Sequence, residues 1–154
     1  MKLFGKKKEC KQLVTIDDIY VGNESVDKFE AIRMAGRMLV AKGCVEEDYI
    51  ESMVDREKIM STYLDNAIAA PHGSCIFKSK VKKTGIVCLQ FPNGVNFNGS
   101  TVNLVIGIAG EGNDHLEILK GVATICSDKF EARKLVVTNH KEYVRDTLQK
   151  HICV

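Results

Sequence analysis

The sequence has no strong excess of one charge and no long apolar run. Its 22 basic and 20 acidic residues leave a formal charge of +2, far from the basic excess of an electrostatic nucleic-acid binder. No apolar run approaches the length needed to cross a bilayer, and no apolar stretch follows the N-terminal lysines as in a signal peptide. We therefore expect a cytoplasmic protein with no nucleic-acid partner and no direct membrane insertion.

Proline is also rare, and the cysteines are not clustered. The two prolines mark no linker and no internal repeat divides the chain, so we expect a basic N-terminal tail over residues 1–12 and a single domain over residues 13–154. We interpret the lysines at positions 6–8 as a solvated part of that tail. The six cysteines are scattered at irregular intervals, which favours a reducing compartment over a zinc site or a disulfide framework.

Hydrophobic periodicity predicts several amphipathic helices. Asp27 and Glu30 have the spacing of an acidic capping box, and apolar residues follow at helical intervals up to Gly43. Further patterns of this kind cover residues 46–60, 115–126 and 140–152, with a shorter one around residues 128–135.

Strand patterns precede the first of these helices and separate the second from the third. An extended segment is expected over residues 13–21, and residues 75–81 alternate lysine with less polar side chains, as in a half-exposed strand. A turn at 83–85 would join that strand to residues 86–91 in an antiparallel hairpin, followed by a loop over 91–100. Residues 101–109 are apolar on both faces, as in a central strand. The fold class is therefore α/β: a single layered domain with a mixed parallel/antiparallel sheet flanked by helices on both faces.

His72 is the first candidate for chemistry. Pro71 fixes a backbone dihedral before it and Gly73 removes a side chain after it, so the imidazole is expected on a stiff bend at a loop or strand end. Such a position suits a nucleophile that serves a protein partner. From the tripeptide alone, a turn histidine without a chemical role is the alternative.

His115 and Arg56 are candidates for holding an anion. Asp114 and Glu117 have the spacing of a capping pair, which predicts His115 as the first residue of a helix, where free N–H groups favour an anion. Arg56 offers a permanent charge and forked donors for phosphate oxygens. The alternatives are an exposed histidine and a surface arginine paired with Asp55 or Glu57.

The other chemical candidates have less support. Cys75 lies three residues after His72, so a Cys-His nucleophile or a zinc ligand pair is possible, but its position on the predicted strand favours a buried thiol. The glycines at positions 110 and 112 form no Walker loop. His140 and His151 are interpreted as surface histidines. We expect no metal and no cofactor.

The string REKIMSTYLDNAIAAPHG, residues 56–73, resembles the active-site segment of enzyme IIA of the mannitol and fructose class, in the bacterial phosphoenolpyruvate-dependent sugar phosphotransferase system. The resemblance runs from about Ile16 to Val122 through EAIRMAGRMLVAKGCVEEDYIESM and FPNGVNFNGSTVNLVIGIAGEGNDHLEILKGVA. The downstream part is more similar to the mannitol branch. The family fold, a mixed sheet flanked by helices, agrees with the pattern above.

The resemblance implies a phosphotransferase with a phosphohistidine intermediate. His72 would be the phosphoacceptor, His115 the second active-site histidine and Arg56 the arginine that steadies the phosphoryl group. The implied partners are the carrier HPr as donor and a cysteine of an enzyme IIB domain of a membrane sugar permease as acceptor, for mannitol or a related sugar. The sequence departs from the family at Asp65, where relatives often have glycine, and at Asn66, where some mannitol-type members have glutamate.

Two rival functions follow from other features. A regulatory module of the nitrogen-related enzyme IIA type would accept phosphate but control the binding of a transporter or kinase, although the sequence around His115 argues against it. A small Cys-His transferase would use Cys75 instead. Transfer onward to a IIB cysteine distinguishes the carrier from the module, and a Cys75→Ser variant tests the transferase.

Overall fold

The computed structural model describes residues 9–74 and 80–154. Its helices are α1 (Lys28–Ala41), α2 (Tyr49–Ile59), α3 (Asp114–Ser127), α4 (Lys129–Val137) and α5 (Lys141–His151). Its strands are β1 (Ile19–Tyr20), β2 (Tyr63–Asp65), β3 (Ile68–Ala69), β4 (Gly85–Phe97) and β5 (Ser100–Ala109), and a 3-10 turn at Ile16–Asp18 precedes β1. All five predicted helices are confirmed. Among the described residues, no helix has both the length and the apolar character to cross a membrane.

The strands form one mixed sheet in the order β1-β4-β5-β3-β2. β4 and β5 pair antiparallel, while β1 lies parallel to β4 and β3 lies parallel to β5. β2 closes the other edge as the antiparallel partner of β3. The prediction that residues 101–109 form the central strand is confirmed, because β5 lies third among the five strands.

The predicted loop over residues 91–100 is wrong. β4 continues through Phe97, and Asn98 and Gly99 alone turn the chain, with φ values of 55° and 97°. Positive φ at both central residues is typical of the two-residue hairpin turn that an Asn-Gly pair favours. The ladder is irregular between Gln90 and Val95, where Gly94 has φ 83°. This irregularity accounts for the Asn and Gly residues within a continuous strand.

The predicted antiparallel hairpin between residues 75–81 and 86–91 can be compared with the structure only in part. Residues 75–79 lie outside the described residues, and Val81 forms an isolated antiparallel bridge with Val45. β4 has β1 on one side and β5 on the other. β5 is therefore the hairpin partner of β4, and the predicted strand over residues 75–79 stays a prediction.

Helices cover both faces of the sheet. Side chains from α3, α4 and α5 pack in one buried cluster with Ile106 and Ile108 of β5. Side chains from α1 and α2 pack in a second cluster with Val105 of the same strand. Because successive strand residues point to opposite faces, a strand apolar at every position has both faces buried. The predicted fold class is confirmed.

Local sequence signals set where α1 begins and how closely it packs against α2. The Asp27 carboxylate accepts hydrogen bonds from the backbone N–H groups of Phe29 and Glu30, as the capping pattern predicts. Gly36 lets α1 approach α2 closely, because a Cβ at this position would lie 3.0 Å from Cγ1 of Ile50. This close approach packs α2, which carries Arg56, against α1.

The two ends of the described chain are joined. Cys10 and Cys153 form a disulfide across 143 residues, and the backbone N–H of Lys11 donates to the carbonyl of Val154 at 3.1 Å. The scattered cysteines did not predict this bond, because the two residues come together only in the folded chain. Cys44, Cys88 and Cys126 are buried free thiols.

Candidate active site

His72 lies just after β3, near the carboxyl end of the central strand. It forms an isolated parallel bridge with Ile108 of β5, and the Ile108 N–H donates to the carbonyl of Pro71 at 3.0 Å. The prediction of a strand-end position is confirmed. The bend is therefore attached to the central strand of the sheet.

One hydrogen bond fixes the tautomer of the His72 ring. Nδ1 lies 2.9 Å from the carbonyl oxygen of Ala70. A carbonyl only accepts, so Nδ1 of the neutral ring carries the proton and Nε2 carries the lone pair. Nε2 is consequently the ring nitrogen whose lone pair is free to act as a nucleophile.

The surroundings of His72 favour the neutral ring. Burial lowers its pKa below the ordinary value of 6.5, and the nearby Arg56 and His115 act in the same direction. The bond to Ala70 and the carboxylate of Glu57 partly oppose this shift. A neutral ring at physiological pH keeps its lone pair available for attack.

The hydroxyl of Tyr49 holds the bend at His72 through two hydrogen bonds to the backbone. The hydroxyl donates to the Ile108 carbonyl at 3.0 Å and accepts from the N–H of Gly73 at 2.8 Å. Burial raises the pKa of Tyr49 to about 12, so the hydroxyl stays protonated. A Cβ on residue 73 would lie 2.7 Å from Cζ of Tyr49, so this contact requires glycine.

His115 lies beside His72. The ring centroids are 6.5 Å apart and the rings are tilted by 34°, an arrangement in which both can contact one small anion. A Cβ on Gly110 would lie 2.7 Å from Cα of His115, so the end of β5 approaches α3 closely only because residue 110 is glycine. Among the described residues, nothing hydrogen-bonds the buried Nδ1 of His115.

The predicted cap of α3 is wrong in detail. Asn113 is the N-cap and makes no side-chain cap bond, and His115 is the second residue of the helix. The Asp114 carboxylate instead accepts from Oγ1 of Thr84 at 2.6 Å and pairs with Lys11 at 3.4 Å. Asp114 therefore ties the start of α3 to the start of β4, which sequence spacing alone does not reveal.

Arg56 lines the same cavity as His72. Its Nη1 donates to the Met60 carbonyl at 2.6 Å, and within the described ranges no ion pair joins it to Asp55 or Glu57. The alternative of a surface arginine paired with a neighbouring carboxylate is thus wrong. The guanidinium keeps donors available for an anion at His72.

The cavity has a volume of about 670 Å³ and an apolar rim. Met60 is 66% exposed on one side and Leu116 is 51% exposed on the other. Exposed apolar side chains around a polar centre are typical of a surface that contacts another protein. The position of His72 between them fits transfer between proteins.

Three residues that support the site were not predicted: Tyr49, Glu57 and Thr62. Glu57 had a signal in the sequence, because it lies three and four residues after Val54 and Met53 on the apolar face of α2. An acidic residue at such a position needs a buried partner. The hydroxyls of Tyr49 and Thr62 had no comparable signal.

Asp65 ends β2, and Asn66 begins the two-residue turn to β3. Asn66 has φ 49°, and its Nδ2 donates to the carbonyl of Cys126 at 2.6 Å. The exposed Asp65 accepts a bond from the Asn66 N–H at 2.8 Å. Asn66 thus links this turn to the end of α3, and neither residue lines the cavity of His72.

The remaining candidates lie apart from this site or outside the described residues. His140 is the N-cap of α5 and His151 is its last residue, and neither lines the cavity of His72. Cys75 lies outside the described residues, so its predicted burial and the Cys-His and zinc hypotheses stay predictions. In the described part of the chain, no group of three or more His, Cys, Asp or Glu side chains could hold a metal ion.

Curated relatives share the sequence over most of its length. The mannitol-specific phosphotransferase enzyme IIA component of Geobacillus stearothermophilus is 44% identical over 125 residues, covering 80% of this chain and 86% of that protein. The corresponding protein of Bacillus subtilis is 40% identical, covering 85% of this chain and 92% of its own length.

Solved structures and a family profile agree with these relatives. The crystal structure of IIA mannitol from Escherichia coli has a TM-score of 0.80 and 38% identity, covering 88% of this chain and 98% of that one. A complex of E. coli enzyme IIA mannitol with phosphorylated enzyme IIB has a TM-score of 0.80 and 36% identity, covering 88% and 96%. The family profile "Phosphoenolpyruvate-dependent sugar phosphotransferase system, EIIA 2" matches residues 12–151. The chain therefore belongs to the EIIA 2 family of the phosphoenolpyruvate-dependent sugar phosphotransferase system, as the resemblance of its sequence implied.

Proposed function

We propose that the protein is a phosphocarrier that accepts a phosphoryl group from the phosphohistidine of HPr on Nε2 of His72 and passes it to a cysteine of an enzyme IIB domain. The observation that carries this proposal is the fixed ring of His72, with Nδ1 held by the Ala70 carbonyl and the ring of His115 centred 6.5 Å away. Arg56 lines the same cavity. We assign His115 and Arg56 to charge stabilisation.

The first step is an in-line displacement at phosphorus. The Nε2 lone pair of neutral His72 forms the new N–P bond while the N–P bond to the donor histidine breaks, and the donor nitrogen keeps that electron pair. Charge on the transferring oxygens is stabilised by Arg56 and His115. The second step repeats the displacement with a cysteine thiolate as nucleophile and Nε2 of His72 as leaving group. Because the donor is already activated, positioning and charge carry the catalysis, and the residues alone supply them.

The assignment of partners is supported by the relatives. The matched curated proteins are named mannitol-specific, and one matched structure is a complex with phosphorylated enzyme IIB. In E. coli, the matched segment is about a fifth of a longer mannitol-specific EIICBA component. We therefore propose a mannitol or related sugar permease as the membrane partner, HPr as the donor and the cytoplasm as the compartment. We further propose residues 13–154 as the carrier domain and residues 1–12 as a basic tail.

The regulatory alternative has weaker support. The nitrogen regulatory protein IIA-Ntr of Neisseria meningitidis is 26% identical with a TM-score of 0.72, whereas the E. coli mannitol structure is 38% identical with a TM-score of 0.80. Onward transfer to a IIB cysteine separates the two functions. A carrier loses its phosphoryl group to IIB, whereas a regulatory module keeps it.

The test is a reconstituted relay. The chain is incubated with phosphoenolpyruvate, enzyme I and HPr, and its mass is followed before and after addition of a mannitol IIB domain. We expect one added phosphoryl group, lost to IIB, and no modification of a His72→Ala variant. A His140→Ala variant is the matched control because His140 is exposed on the separate helix α5. Modification that persists in His72→Ala contradicts the proposal.

A further inference from the structure

Glu57 is a buried carboxylate that takes no direct part in phosphoryl transfer. Its side chain is 0% exposed. Its Oε1 accepts hydrogen bonds from the backbone N–H of Thr62 at 2.8 Å and from Oγ1 of Thr62 at 2.5 Å. Because a buried carboxylate costs free energy unless it is paired and hydrogen-bonded, its partners indicate what it holds in place.

Thr62 connects Glu57 to the His72 ring. The carbonyl of Thr62 accepts from the N–H of Ala70 at 3.0 Å. The carbonyl of Ala70 in turn lies 2.9 Å from Nδ1 of His72. A continuous chain of hydrogen bonds therefore runs from the Glu57 carboxylate to the nitrogen that sets the tautomer of His72.

The same turn also holds Arg56. Arg56 immediately precedes Glu57, and its guanidinium donates to the Met60 carbonyl at 2.6 Å. Met60 lies between the end of α2 and Thr62. The two bonds from Thr62 to Glu57 close this turn, so they also restrict the position of the Met60 carbonyl. The buried carboxylate of Glu57 thus affects the positions of both Arg56 and His72.

Lys28 supplies the opposite charge. Its Nζ lies 3.5 Å from Oε2 of Glu57, and its side chain is only 12% exposed. Oε2 makes no hydrogen bond among the described residues. The Lys28 ammonium also donates to Oδ1 of Asn98 at 2.9 Å. The ion pair therefore connects α1 to α2, and Lys28 extends this connection to the hairpin turn.

We propose that Glu57 is a positioning residue: through Thr62 it holds the Ala70 carbonyl that presents Nε2 of His72, and through the closed turn it places Arg56. This inference rests on the proposed role of His72 as phosphoacceptor. Glu57 itself contacts neither the phosphoryl group nor a partner. Its effect passes through the backbone of Thr62 and Ala70, which lies between the Glu57 carboxylate and the His72 ring.

The test compares four variants. Glu57→Ala removes the oxygen that accepts both bonds from Thr62, and Glu57→Gln keeps one amide oxygen that can accept the same bonds. Thr62→Val removes only the hydroxyl donor. Glu51→Gln is the matched control, since Glu51 lies on the same helix but is exposed and paired with Arg33.

Two measurements are made on each folded variant. The ¹⁵N shifts of the His72 ring report its tautomer, and rapid-quench kinetics report phosphoryl transfer from HPr. For Glu57→Ala we expect a mixed tautomer and transfer slowed about 10- to 100-fold, the size of effect that small misplacements of reacting groups produce. Thr62→Val should change both readouts in the same direction as Glu57→Ala, but by a smaller amount. Glu57→Gln should lie closer to wild type than Glu57→Ala does. Glu51→Gln should match wild type.

Two results overturn the inference. One is a folded Glu57→Ala with wild-type ring shifts and transfer rate. The other is slower transfer with unchanged ring shifts in both Glu57→Ala and Thr62→Val, because the proposed control of the His72 tautomer through the Ala70 carbonyl would then be absent. If Glu57→Ala does not fold, Thr62→Val decides by the same criteria. If His72 of the wild type is never phosphorylated, the proposed function fails, while the ring shifts, which need no donor, still test the positioning.

Discussion

His72 and His115 have ring centroids 6.5 Å apart, yet their surroundings differ. Nδ1 of His72 is held by a carbonyl, and the residues on either side of His72 are bonded to Ile108 and Tyr49. His115 is placed by the approach of its backbone to Gly110, and among the described residues its buried Nδ1 makes no hydrogen bond. The His72 ring is held by hydrogen bonds, whereas the His115 ring is placed by packing of the backbone that carries it.

The difference suits two roles. A nucleophile benefits from a fixed lone pair, because misplacement costs rate directly. A group that stabilises charge needs its hydrogen bond only when the charge develops. The four predictions below test this division of roles.

Replacement of His115 by alanine should have the largest effect. We expect transfer to slow about 100-fold, because one donor to the transferring oxygens is lost, while phosphorylation still occurs on His72. Rapid-quench kinetics with HPr measure the rate, with His140→Ala as the control. A wild-type rate in His115→Ala would remove His115 from the mechanism.

Gly110→Ala should move His115 without removing it. The added Cβ would lie 2.7 Å from Cα of His115, so the start of α3 must shift. We expect about tenfold slower transfer and a loss of about 1–3 kcal/mol in the free energy of unfolding, as overpacking usually costs. Gly112→Ala is the control, because nothing lies within 4 Å of its Cβ and only its φ of 54° is unfavourable. Equal rates in the two variants would contradict this account.

Tyr49→Phe should loosen the bend of His72. The change leaves the Gly73 N–H and the Ile108 carbonyl without the Tyr49 hydroxyl. We expect the free energy of unfolding to fall by about 1–3 kcal/mol, with a smaller loss of transfer rate than for Gly110→Ala. Urea unfolding measures the first quantity. Tyr20→Phe, at a half-exposed position, should change neither.

The smallest effect concerns pH. The pKa of His72 is lowered mainly by burial, so the unfolded chain binds a proton at His72 more readily than the folded chain. Its contribution to stability is therefore present above pH 6.5, the ordinary pKa, and is lost as pH falls from there through the lowered folded value. NMR titration should place the His72 pKa below the ordinary histidine value of 6.5. A higher His72 pKa would contradict this prediction.

Parts of this fold were predictable because their signals are local. The cap at Asp27 and the apolar spacing of α1 lie within one stretch of chain, as does the doubly buried pattern of β5. The part of the β4–β5 hairpin nearest its turn was predicted as a loop, although Asn98-Gly99 is a strong signal for a hairpin turn. The reason is that the sequence at the irregularity near Gly94 resembles a loop. The Cys10–Cys153 bond could not be predicted, since it joins residues 143 apart.

Local sequence patterns were enough to predict the helices, the central strand, the three candidate residues His72, His115 and Arg56, and the family. These rest on periodicity, capping and motif, which depend on residues close in the chain. The folded chain was needed to show that the Ala70 carbonyl selects Nε2 of His72, that Asp114 bonds Thr84 instead of capping α3, and that Glu57 is buried next to Thr62. Hydrogen bonds between distant segments depend on how the packed elements meet, and packing of the whole chain sets that arrangement.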